Sequence, residues 1–369
     1  MATQRSFKEY VADKFYDQLS AAVSTYIEDN LSSLDLCSNR VSHVDAAELS
    51  DISIKMVGVD DLPGTGISFD VILEAEICIS ENSRHHDSSD EKYIWFSVNC
   101  TGDLNCGLAD MAITNVEVYN RKSQYNKPLD DALVPVIHSN ELDAVATDFL
   151  RRNYPQALGK PMAVDVAELA RGMGLTIEQH QITKDFTVFG QMFFSDCDVE
   201  VYDEKTDTMK QEHISGKTIS VDPKAFFLRN LGAINNTIVH ECVHWDRHRK
   251  AFELERLYNS SATQIKCQVV GGIKNENVRS ATDWMEWQAN ALAPRIQMPL
   301  STFKAKAHEI ARIYQRQTNT TELVDVMEAT IEELATFFCV SRQAAKIRML
   351  DIGFEEAIGA FTYKVPMFL

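Results

Sequence analysis

The stretch TIVHECVHWDRH, residues 237–248, decides how this chain is read. It contains His240-Glu241-Cys242-Val243-His244. On a helix, residues four apart lie on one face, a turn from each other. His240 and His244 can then each aim one nitrogen at a single ion. Glu241 sits one step round the cylinder, too far for an easy third ligand but close enough to reach a water on the metal. H-E-x-x-H serves hydrolysis in this way: two imidazoles hold zinc and the carboxylate takes a proton from the water. The competing reading is a helix with two unrelated surface histidines. Cys242 and Val243 are apolar, as a helix buried behind a site requires, and INNTIV upstream supplies a helix start with an apolar entry. The helix is predicted to begin near Asn235 or Asn236 and to run past Lys250.

A catalytic zinc takes three protein ligands and keeps one open position. His248 has drifted roughly 80° round the helix from His240 and reads as exposed or as a support for the ligands. The extended pattern with a third histidine would need it at position 250, which is lysine. Glu286, in ATDWMEWQANALAPRIQMP, is the better candidate. Met285, Ala289, Leu292 and Ala293 surround it with apolar side chains, and Asn290 follows one turn later, able to steady a ligand. Asp283 is the competing carboxylate near the same face. An oxyanion formed during peptide hydrolysis needs a donor besides the metal. Tyr258, Arg247 and His248 are candidates, and the sequence does not choose among them. KTISVD, residues 217–222, reads as a strand that would align a peptide if it lay at a sheet edge.

HECVH, followed some forty residues on by EWQANALAPRIQMP, resembles the ImmA/IrrE-type zinc metallopeptidases. That family pairs H-E-x-x-H with a downstream E-x-x-A-N-x-x-A…M-P segment. His240, Glu241, His244, Glu286, Ala289, Asn290, Met298 and Pro299 match it. PMAVDVAELARGMGLTI at 161–177 and KTISVD are also similar, so the resemblance covers roughly residues 140–352. It implies a zincin-like endopeptidase with one zinc per chain, held by His240, His244 and Glu286, with Glu241 as general base and then general acid. It further implies a specific regulatory protein as substrate, often a helix-turn-helix repressor. The chain departs from the family in three places. Pro294 lies inside the E-x-x-A-N helix and should kink or end it. Residues 195–216 read as an insertion. Cys242-Val243 replaces the small or glycine-containing pair often seen between the ligands.

Outward from this segment, the chain of 369 residues has room for two or three domains. Phe7, Tyr10, Val11, Phe15, Leu19, Val23, Tyr26, Ile27 and Leu31 recur at steps of three and four, which predicts one amphipathic helix. Ile52, Ile54 and Met56 alternate, LPGTG at 62–66 signals a turn, and Ile67 to Ile79 alternate over thirteen residues. ENSRHHDSSDE reads as a polar loop with His85 and His86 in solvent, and YIWFSV and ITNVEVY as two further strands. Residues 121–140, with two prolines and little periodicity, read as the linker. Helices are expected at about 141–153 and 163–172, with a short strand around 188–194. The predicted fold is α+β: a helix and antiparallel sheet over 1–130, a mainly helical metallopeptidase domain with a small sheet over 131–300, and a C-terminal helical segment over 301–369. In that last segment, IEELATFFCVSRQAAKIRMLDIG (331–353) reads as helix, tight turn, helix. Ser341 is its natural N-cap and Gly353 its stop.

Residues 1–140 carry 10 Lys and Arg against 23 Asp and Glu, a charge of −13, while 301–369 carry 8 against 9. Such charge argues against direct nucleic-acid binding. Eight scattered cysteines form no C-x-x-C, and no apolar run reaches membrane-spanning length. The start lacks a signal-peptide layout, which predicts a cytoplasmic protein. A non-catalytic zinc-containing transcriptional regulator that uses 331–353 to contact DNA is the alternative to the peptidase.

Overall fold

Phe7, Val11, Phe15, Leu19, Val23 and Ile27 fall one per turn and are all buried, so the first helix, α1 (Phe7–Asp29), lays a single stripe on its neighbours. Ser6 caps it, accepting from the Glu9 backbone amide at 3.1 Å. The computed structural model describes residues 5–83, 86–120, 127–181, 190–203, 206–222, 231–259, 262 and 280–361. The chain divides into two compact units.

The first unit comprises Met1–Val136 together with Lys250–Ser261. Its sheet is β1 (Ala46–Asp61), β2 (Gly66–Ser83), β3 (His86–Asp103) and β4 (Ala112–Val118), antiparallel and in chain order. Every second residue of β2 from Ile67 to Ile79 is buried, the pattern of a strand with one face on a core. The Phe7 ring meets Phe69 edge-on at 5.2 Å. The stretch read as a polar loop is mostly strand: β2 runs to Ser83, β3 starts at His86, and those two residues pair. A backbone ladder places no demand for apolar side chains where strands extend past the core, so composition misled there. His85 lies outside the described residues. Part of the segment read as linker also belongs to this unit. Leu129 and Leu133 join its core, and the Asp131 carbonyl accepts from the Phe7 amide at 2.7 Å. Residues 121–126 lie outside the described set.

A linear division at 130/131 omits Lys250–Ser261. Helix α6 of this unit (Arg249–Tyr258, numbered in chain order) buries Leu254 in the core of α1 and the sheet. Lys250 reaches Asp61 and the Leu62 carbonyl. Leu254→Ala should cost about 2–5 kcal/mol, as buried leucine truncations do. Urea unfolding followed by Trp95 fluorescence checks this, and an unchanged midpoint would place α6 outside that core.

The second unit holds α2 (Leu142–Asn153), α3 (Gln156–Gly159) and α4 (Val166–Gly172), followed by a small sheet. In that sheet β9 (Thr218–Val221) lies in the middle, parallel to β5 (Thr176–Gln179) and antiparallel to β6 (Gly190–Phe193). The KTISVD strand is therefore flanked on both sides and is not an edge. The segment read as an insertion, 195–216, is a hairpin of β7 (Cys197–Asp203) and β8 (Thr208–Ile214). Helix α5 (Leu231–Arg247) packs on the sheet and on α7 (Ala281–Gln297). It starts earlier than expected and ends at Arg247, with α6 beginning anew at Arg249. Pro294 lies within α7, which continues three residues beyond it, close enough to the end that few backbone bonds are affected. Helices α8 (Leu300–Thr318), α9 (Met327–Phe337) and α10 (Arg342–Asp351) close the chain around Phe303, Leu334, Phe338 and Met349. Ser341 caps α10, accepting from the Ala344 amide at 3.1 Å.

The fold is thus α+β, an N-terminal helix and antiparallel sheet followed by a mainly helical region with small sheets. No described helix is long and apolar enough to cross a membrane, and the described cysteines are free.

Candidate metal centre

Helix α5 buries Val239, Cys242 and Val243 completely, which fixes its rotation. His240 and His244 then share one face, and both are 1% exposed. Their Nε2 atoms lie 3.0 Å apart. Glu286, on α7, completes the group, with Oε2 3.4 Å from the Nε2 of His240 and Oε1 3.3 Å from that of His244. Met285, Ala289, Leu292 and Ala293 anchor α7 in the core around it. One ligand atom from each of the three residues lies within 4.8 Å of the others. Asp283, the competing carboxylate, is used elsewhere. It accepts from the Ser280 amide and hydroxyl at 3.0 and 2.7 Å, closing a capping box at the start of α7.

The protonation pattern at His244 follows from its neighbours. His248 Nε2 lies 3.0 Å from Gln288 Oε1, which can only accept, so His248 carries its proton on Nε2. Its Nδ1 is then a lone pair, 2.8 Å from the Nδ1 of His244, and accepts a hydrogen bond from it. Burial, followed by the neighbouring His244, pushes the His248 pKa well down, in keeping with a neutral ring. His244 thus presents an unprotonated Nε2 to the group. Asn290 hydrogen-bonds His240. Both carboxylate oxygens of Glu286 are buried against the two imidazoles. Burial alone would raise the Glu286 pKa, but His240 and His244 outweigh it and hold the group ionised well below the usual range. Two imidazoles and a buried carboxylate converging on one point are a donor set for a borderline cation such as zinc.

Glu241 is 1% exposed. Burial raises its pKa. It stands against β6, where Gly190 makes the approach possible: a Cβ there would lie 2.3 Å from Thr237 Cγ2 and 3.3 Å from Glu241 Oε1.

The three oxyanion candidates are each committed elsewhere. Arg247 turns to the carboxylates of Asp246 and Asp148. Tyr258 belongs to the first unit and donates its proton to the Ser6 carbonyl at 2.7 Å. His248 has both nitrogens engaged. Gln288 and Gly190 escaped the sequence reading. The i, i+4 step from His244 to His248 signalled a helical neighbour, but nothing local tied Gln288, forty residues on, to that ring.

No curated protein matches the chain. Residues 236–350 match the family described as Peptidase_M78, the IrrE N-terminal-like domain. That span contains both histidines, Glu241, Glu286, helix α9 and nearly all of α10, and over it the chain is similar to that family.

Proposed function

We propose that the chain is a zinc-dependent endopeptidase acting on a specific regulatory protein, with a helix-turn-helix repressor as the class the family resemblance implies. The observation that carries this reading is the convergence of His240, His244 and the buried carboxylate of Glu286 on one point. These three residues would hold the metal, and Asn290 would steady His240. Zinc, when bound there, supplies a Lewis acid that acidifies water and polarises a peptide carbonyl. Glu241 takes the proton of the attacking water on a carboxylate oxygen and then delivers it to the leaving amine nitrogen.

His248 acts through His244. By accepting a hydrogen bond from Nδ1 it fixes both the tautomer and the ring plane of the ligand, and Gln288 fixes His248 in turn. His248→Phe should therefore weaken zinc binding by roughly 10–100-fold. A titration against a chromophoric chelator measures it, and wild-type affinity in the variant would show that His244 needs no such partner.

A regulator reading DNA with α10 has less support. Arg342 pairs with Glu332 at 2.7 Å, Lys346 donates to the Ile358 and Ala360 carbonyls at 2.8 and 2.7 Å, and the fully buried Arg348 pairs with Asp143. The positive charge of that helix is spent on its own fold. A structural zinc site would also tend to be closed by four ligands, and the described group has three. Trapping partners with the Glu241→Gln variant, followed by mass spectrometry, tests the substrate class. Recovery of DNA-binding regulators with uncut target segments supports it, and recovery of unrelated proteins only would overturn it.

A further inference from the structure

The four-stranded sheet of the first unit has two unlike faces. The α1 stripe and the core cover one of them. On the other, cross-strand pairing sets side chains in rows: Ser53, Glu74 and Trp95, then Glu76 and Tyr93, then Glu48, Cys78 and Glu91. Tyr93 is 53% exposed. Its hydroxyl donates to Glu91 Oε2 at 3.4 Å, and Glu76, directly opposite, is also within hydrogen-bond reach. Beside it, Trp95 stacks on Tyr119 with ring centroids 6.0 Å apart and gives its indole N–H to Glu74 at 2.7 Å.

Lys55 pairs with Glu74 at 2.9 Å. Among the described residues, no cation pairs with Glu48, Glu76 or Glu91. The same face shows what its carboxylates take. At its other end Asp60 and Asp70 share Lys127, at 2.6 and 2.8 Å. Residues 1–140 carry a charge of −13, which repels nucleic acid and draws basic partners. A second copy of this face would set like charges against each other. A guanidinium lies flat on an aromatic ring and forks its N–H groups to neighbouring carboxylates, so it uses both the ring of Tyr93 and the acids at its rim.

We propose that this end of the sheet docks an arginine-containing basic segment of a partner protein, with one guanidinium on Tyr93 between Glu76 and Glu91. Docking needs no cleavage, so the proposal stands apart from the peptidase reading.

The test is fluorescence anisotropy of a labelled decapeptide of alternating arginine and serine, titrated with the full-length chain at roughly 150 mM salt, where distant surface charges are screened. Wild type should bind it. Glu76→Gln combined with Glu91→Gln keeps the shape and should weaken binding by on the order of 10-fold. Tyr93→Thr keeps a strand-forming residue and should weaken it by roughly 3-fold. Asp13→Asn combined with Asp17→Asn removes the same two charges from exposed positions on α1 and should leave affinity nearly unchanged. Far-UV circular dichroism shows that each variant is folded. Selective losses in the glutamate pair and in Tyr93→Thr support the docking face. No binding by wild type, equal losses in the two double variants, or wild-type affinity in either sheet variant would overturn it.

Discussion

Glu241→Gln should abolish proteolysis, by 10²–10⁴-fold or more, while leaving zinc content and folding nearly intact. The carboxylate is buried, and burial raises its pKa, so the folded state disfavours its charge. Glutamine keeps the size and loses the basic oxygen. It also removes a buried ionisable group, whose charge burial disfavours. The proposed metal ligands are other residues, so affinity should hardly move. Cleavage of a trapped partner by wild type and variant, with zinc measured on the same samples, checks both halves. A variant that cuts at the wild-type rate would show that Glu241 is not the base.

Glu286→Ala should lower zinc affinity by roughly 10–100-fold or beyond, since even the loss of a supporting group reaches that range. Two neutral imidazoles alone leave the ion under-coordinated, and the carboxylate supplies both charge and a fixed corner. The paired control is Asp283→Ala. Its carboxylate is occupied at the α7 N-terminus by Ser280, so this change should cost helix stability, about 1 kcal/mol, and spare the metal. Zinc titration of the two variants decides between them. Loss of metal in Asp283→Ala with retention in Glu286→Ala would reverse the assignment.

Much of this was legible in the sequence because the signals were local. The stripe Phe7 to Ile27 and the alternation Ile67 to Ile79 are periodicities that burial alone imposes, and both appear as predicted. His240 and His244 face one point because four residues make nearly one turn. Placing Glu286 beside them needed the family pattern, since a separation of forty-two positions from His244 carries no spacing rule. What the sequence hid was tertiary. Leu254 has the periodicity of any amphipathic helix, and nothing in it says that its partners are α1 and the sheet. The polar residues at 81–91 suggested a loop because β propensity describes a half-buried surface, and this end of the hairpin is not one. The break after Arg247 lacks proline or glycine, so the histidine helix looked longer than it is.

The central claim is that this chain holds a catalytic metal through His240, His244 and Glu286. Elemental analysis of protein purified without chelator, followed by zinc titration of the stripped chain, addresses it most directly. The account predicts about one zinc per chain and its return on titration. Protein with no zinc that takes none up on reconstitution would contradict it.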